Sequence, residues 1–122
     1  MPASVALICL ALTVYHEGRG EPLRGQYAIA HVVMNRVKDG RWGASVCSVV
    51  AQKKQFSYTK NHSFPKNVDA LQEAVRVSQH VINGRPDSTQ GSTHYFNPSL
   101  AVPSWAGELQ YVMRIGSHDF YK

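Results

Sequence analysis

The sequence predicts an α+β domain, mainly α, that closes on a short β-hairpin or small sheet. Three observations carry that prediction. Apolar residues recur at helical spacing through long stretches of the first two thirds of the chain. Aromatic, strand-like segments cluster after residue 92. Gly116-Ser117 separates two such runs, as a two-residue hairpin turn does. The length of 122 residues allows one domain with one modest core, so residues 1–122 are read as a single unit. With 43% hydrophobic and 17% charged residues, the balance is globular and disorder is excluded.

The elements follow in order. Ala3 to His16 is apolar nearly all round, which suits a helix in the centre of a small domain. Gly18 and Gly20 end it. Val5 to Val14 is too short to span a bilayer, has no Lys or Arg before it and is followed by no small-residue cleavage site. It therefore reads as a buried first helix and not as a leader. Pro22 suits the first turn of a second helix. Tyr27, Ala30, Val33, Met34 and Val37 form its stripe, and Asp39-Gly40 stops it. Residues 44–51 predict one or two helical turns. Residues 52–66 show no period and read as a long loop, of the kind that is usually functional or disordered. Asn67 is a fitting N-cap for a third long helix, striped by Val68, Leu71, Ala74, Val75, Ser78 and Ile82 and closed by Gly84-Arg85-Pro86. Thr93 to Asn97, Tyr111 to Ile115 and His118 to Tyr121 supply the β element. Cys9 and Cys47 each lie in an apolar stretch and read as two buried thiols. A single bridge is the alternative, but sequence alone does not bring the two sulfurs together.

The chemistry concentrates in Tyr15-His16-Glu17-Gly18-Arg19-Gly20-Glu21. Glu17 falls in the last turn of the first helix, where a carboxylate faces the negative end of the helix dipole. A locally unfavourable placement points to a role other than helix stability. Beside apolar walls an acid's charged form is disfavoured, so it can donate a proton near neutral pH, as glycosidic cleavage requires. The plainer reading makes Glu17 a solvated helix-end residue and pairs Glu21 with Arg19 or Arg24. A His-Glu start invites a zinc reading, but that motif needs a second His at position 20, where glycine stands. The remaining histidines are scattered without ligand spacing.

Gln55, Phe56, Ser57 and Tyr58 gather aromatic faces and polar edges suited to sugars or bases. Tyr95, Asn97 and Trp105 offer similar chemistry. Thirteen Lys and Arg stand against eight Asp and Glu, for a net charge of +5. Seven of those basic residues lie between Arg36 and Lys66 beside one acid, Asp39, which favours a surface facing a polyanion. Phosphate-binding glycine loops and serine-nucleophile elbows are absent from the sequence.

Four blocks in order, YHEGRGEPLRGQYAIAHVVMNRV, QFSY, HYFNP and IGSHDFY, resemble the SleB/CwlJ-type cell wall hydrolases, a family of spore cortex-lytic enzymes and related phage lysis proteins. The resemblance runs from about Leu7 to Tyr121. It implies a small lysozyme-like catalytic domain that cleaves the glycan strand of peptidoglycan. It implies Glu17 as the catalytic acid and a groove lined by Gln55, Phe56, Ser57, Tyr95 and Asn97. Beyond the resemblance, Glu21 reads as a helper that orients Arg19 or substrate, and Arg19, Tyr58, Trp105 and His118 read as further substrate contacts. His16 departs from the small residue common before the acid. The expected partner is peptidoglycan, met by a monomer without nucleic acid, membrane insertion, metal or cofactor. The expected setting is the bacterial wall, reached from the cytoplasm during phage lysis in the manner of an endolysin.

Overall fold

The structure, a computed structural model, describes residues 2–52 and 65–122. Among the described residues four helices come first: α1 (Pro2–Glu17), α2 (Leu23–Asp39), α3 (Val46–Val50) and α4 (Val68–Ile82). Strand β1 (His94–Phe96), a 3-10 turn (Ser104–Gly107) and strands β2 (Tyr111–Ile115) and β3 (His118–Tyr121) follow. The predicted α+β order, helices first and a small sheet last, is the order observed. The predicted loop 52–66, including Gln55, Phe56, Ser57 and Tyr58, lies almost wholly outside the described residues.

Local chemistry sets the helix ends as the sequence indicates. Asn67 caps α4 by accepting from the Ala70 amide at 3.0 Å. Gly40 closes α2 in the left-handed region, at φ 88°, and returns its amide to the Arg36 carbonyl. Ser45 and Ser48 reciprocate across the first turn of α3.

The centre of the domain is α2, not α1. An unbroken run from Tyr27 to Val33 is buried in α2. Its small residues Ala28 and Ala30 let neighbours approach on opposite sides. Tyr27, Ala30 and Val33 join Leu10 and Val14 of α1, Val49 of α3 and Val77 of α4 in the larger core. Ala28 and Val32 meet Ile115 and Phe120 of the sheet in a smaller one. Helix α1 lies to one side, so Val5 and Ile8 stay 57% and 59% exposed, against the expectation of a fully buried helix. In α4 the buried line runs through Ala74, Val77, Ser78 and Val81, while Val68 in the first turn points to solvent. Among the described residues no helix is long and apolar enough to cross a membrane.

The two cysteines are not thiols. Cys9 and Cys47 form a disulfide between α1 and α3, with Cα atoms 5.3 Å apart. Packing of α3 across α1 supplies the proximity that the sequence could not.

The sheet is antiparallel with order β1-β3-β2. Strands β2 and β3 form the predicted hairpin, turning at Gly116-Ser117 with a bulge between Tyr111 and Met113. Strand β1 adds to the far edge of β3, with Tyr95 opposite Phe120. Alternation then sorts the side chains. Tyr95, His118 and Phe120 share the face toward the helices, and His94, Phe96 and Tyr121 share the other.

Candidate active site

Glu17 is the last residue of α1, and Gly18 follows with its amide on the Val14 carbonyl at 2.8 Å. A Cβ at position 18 would strike that carbonyl, so the tight exit of the helix requires glycine there. From this end Glu17 meets the sheet: the Tyr95 hydroxyl donates to its Oε1 at 3.2 Å. The two residues are 78 positions apart. Tyr95 is half-buried overall, but its hydroxyl end is enclosed. Burial first, then the charge of Glu17, push the phenol well above its ordinary value. Tyr95 therefore stays a neutral donor across the physiological range.

Glu21 also meets the sheet, but differently. Its Oε1 accepts from the Ser117 amide at 3.0 Å and its Oε2 accepts from the Ser117 hydroxyl. His118 Nδ1 lies 3.5 Å from Oε1, and the Glu21 side chain is only 9% exposed. Burial pushes this carboxyl up, but the Ser117 hydroxyl, the Ser117 amide and His118 outweigh it and hold it below its ordinary value. His118 is itself lowered by burial, although Glu21 pulls the other way. Gly116 sits at φ 61°, and a Cβ there would run into Glu21 Oε1. The hairpin tip is thus built to receive this carboxylate. Glu21 is engaged by Ser117 and His118, rather than by Arg19 or Arg24.

Arg19 belongs to a third group. Its Nη1 donates to the Tyr15 hydroxyl at 2.8 Å, and its guanidinium stacks over that ring. The same hydroxyl accepts the Lys66 and Asn67 amides at 3.0 and 3.1 Å. The Asn67 amide is the largest of the influences that pull the Tyr15 phenol down. Tyr15 thereby ties the helix that bears Glu17 to the start of α4. An open hollow of about 450 Å³ lies against Tyr15, Arg19 and the first turn of α4. A smaller cleft of about 190 Å³ lies beside Gly18, Gly20, Glu21 and Glu73.

The structure scatters the other expected groove residues. His118 lies edge-on to Tyr95, with ring centres 4.9 Å apart, and so belongs to the wall behind Glu17. Asn97 uses its side-chain oxygen to accept from the Ser99 amide and hydroxyl, which shapes the turn after β1. Trp105 packs on His94, Phe96 and Tyr121, on the face of the sheet turned away from Tyr95. Strand alternation separates it from the Tyr95 ring. Part of the positive charge between Arg36 and Lys66 is internal or paired, while Lys53, Lys54 and Lys60 lie outside the described residues. Arg36 is 5% exposed, donates to the Thr93 carbonyl at 2.6 Å and stacks on Trp42. Burial draws it down to about 10. Arg41 is paired with Asp39. Among the described residues of that stretch only Lys38 and Lys66 remain as exposed cations outside such pairing. Among the described residues no three His, Cys, Asp or Glu side chains gather as a metal site would require.

Ser117 and Arg36 were missed as site-building residues. Ser117 reads only as a turn residue. Arg36 leaves a clearer trace, because it stands between Val33 and Val37 on the apolar side of α2, where a charge needs a buried partner.

A family model for cell wall hydrolases matches residues 20–121. The chain belongs to the cell wall hydrolase family. This cell wall hydrolase is 35% identical over 112 residues to the spore cortex-lytic enzyme of Bacillus subtilis, which covers 91% of the chain and 35% of that protein. It is 33% identical over 111 residues to the spore cortex-lytic enzyme of Halalkalibacterium halodurans, covering 91% and 33%. The hydrolase thus spans about a third of the length of these curated relatives. Among solved structures, it resembles the catalytic domain of the germination-specific lytic transglycosylase SleB from Bacillus anthracis. The TM-score is 0.84 at 31% identity, over 96% of this chain and 93% of that one. The Bacillus cereus SleB catalytic domain gives 0.83 at 31%, over 96% and 89%. These matches establish the SleB-type, lysozyme-like fold.

Proposed function

We propose that this hydrolase cleaves the glycan strand of peptidoglycan by single-acid, lytic transglycosylase chemistry, with Glu17 as the acid. Glu17 donates a proton to the β-1,4 glycosidic oxygen between N-acetylmuramic acid and N-acetylglucosamine. The bond to the muramoyl C1 breaks through an oxocarbenium-like state. The Glu17 carboxylate then takes the proton from the muramoyl C6 hydroxyl, and that oxygen closes on C1 as a 1,6-anhydro ring. The proton lent in the first step is recovered in the second, and no water is consumed.

The observation that carries this reading is the state of Glu21. A hydrolytic muramidase needs a second group to activate water or attack C1. Glu21 is the near carboxylate in sequence, and both its oxygens accept from Ser117 on the hairpin. A carboxylate so bound supports a structural role. The likeness to the SleB catalytic domain, described as a lytic transglycosylase, supports the same chemistry.

Digestion of purified peptidoglycan with mass analysis of the sugar ends tests it. Anhydro-muramoyl ends, one water lighter than reducing ends, are expected. Products bearing only reducing ends would replace this chemistry with the two-carboxylate route. Intact glycan strands with freed peptides would replace it with an amidase.

A further inference from the structure

The contact between Glu17 and Tyr95 has a direction. A neutral phenol holds one hydrogen, and here that hydrogen points at Glu17 Oε1. We infer that Tyr95 is a positioning residue that orients the Glu17 carboxyl by holding its Oε1, a role that rests on Glu17 being the acid.

Three features make the hydroxyl a fixed reference point. The Tyr95 backbone is held in the ladder opposite Phe120. The ring leans on Phe120 at 5.6 Å and meets the edge of His118 at 4.9 Å between centres. Phe120 is fully buried, so the surface under the ring does not yield. The hairpin that carries His118 is in turn bound to Glu21 through Ser117. The sheet therefore aims one hydroxyl at the end of α1, while its other end is clamped to the turn that follows α1. Such an arrangement suits an acid whose carboxyl must deliver a proton and later accept another at a defined place. It also separates Tyr95 from a substrate-binding role, since its hydroxyl is turned to the carboxylate.

Tyr95→Phe removes only the oxygen and is the primary test. The expected result is a fall of about 10- to 100-fold in kcat on soluble glycan fragments, with KM nearly unchanged. A hydroxyl that donates to a carboxylate favours its charged form, so its loss favours the protonated acid. The alkaline limb of the rate profile should then move up by about one pH unit. Replacement of Tyr95 by 2,3-difluorotyrosine keeps the ring and strengthens the donor, so the same limb should move down. These opposite shifts are a signature that a purely structural role does not produce, and the fluorinated variant retains the packing if the Phe variant fails to fold. A rise in KM with kcat intact, or a limb that stays fixed in both variants, overturns the inference. Glu17→Gln keeps the two readings apart. If that variant remains active, the assignment of Glu17 fails. If it is dead while Tyr95→Phe behaves as wild type, the role of Tyr95 alone fails.

Discussion

Glu17 and Glu21 stand four residues apart on either side of a glycine turn, and both take hydrogen bonds from the same small sheet. Their settings differ in kind. Glu17 accepts at 3.2 Å from a phenol of β1 that remains neutral. Glu21 receives an amide and a hydroxyl from one serine and has an imidazole nearby. A carboxylate with so many donors is stabilised as the anion and loses its use as an acid. The comparison teaches that two identical side chains in one motif divide the work. Under the proposed mechanism one carries the chemistry, and the other fastens the β-hairpin to the helical body.

The sharpest way to break this division is Glu17→Gln. Activity should fall by about 1,000-fold or more, equivalent to about 4 kcal/mol in the barrier, with the melting temperature unchanged. Turnover of purified walls, measured beside thermal unfolding, checks both halves. Glu21→Ala should do the reverse. It strips buried donors of their anion and should cost about 2 kcal/mol of stability, while the residual activity of the folded fraction exceeds that of Glu17→Gln by at least about tenfold. Equal loss of activity in the two variants at a temperature where both are folded would restore Glu21 to the chemistry. Ser117→Ala removes one of the bonds to Glu21 and should cost about 1 kcal/mol by denaturant unfolding, with the product still an anhydro sugar.

The smallest effect is a slope. The folded-state value of Glu21 lies below its ordinary one, so its anion adds stability above the unfolded value, near pH 4.5. That contribution is lost as pH falls through the folded value. Unfolding midpoints should therefore drop on acidification below about pH 4.5, and Glu21→Gln should flatten that part of the curve. Asp87, also held below its ordinary value despite burial, by Thr89, Asn35 and Gly91, contributes in the same direction and will remain in the variant.

The legible part of this molecule was local. Helical spacing marked α2 and α4, Asn67 announced its cap, and Gly116-Ser117 announced the hairpin. Each of those signals lies within a few residues of what it specifies. The proposed acid Glu17 also stands out locally, as a carboxylate set against the dipole of an apolar helix and within the block that surrounds it. What escaped were meetings across long stretches of chain. The contact of the Tyr95 hydroxyl with Glu17 joins residues 78 positions apart. Local sequence offers Arg19 or Arg24 to Glu21, while its partner Ser117 lies 96 positions distant. Trp105 is separable from Tyr95 by strand alternation alone. The period of two in β1 already places His94 and Phe96 opposite to Tyr95, and Trp105 follows the former pair. Arg36 shows the converse error, since a basic residue counted as surface charge is an internal donor to the Thr93 carbonyl.

The Cys9–Cys47 bond also divides the chain topologically. It closes a covalent ring that contains the end of α1, both glutamates and all of α2, and it leaves α4 and the sheet outside. A cut anywhere within that ring would leave Glu17 and the central helix on one connected molecule. Chain-entropy arithmetic for a closure of 38 residues puts the stabilisation at about 4 kcal/mol, a large share of what a domain of this size possesses. Such bonds persist outside the reducing cytosol. The same polypeptide is therefore expected to be a loosened, protease-sensitive chain where thiols are kept reduced and a durable one in an oxidising space. Its lifetime would then be set by which side of a membrane it occupies.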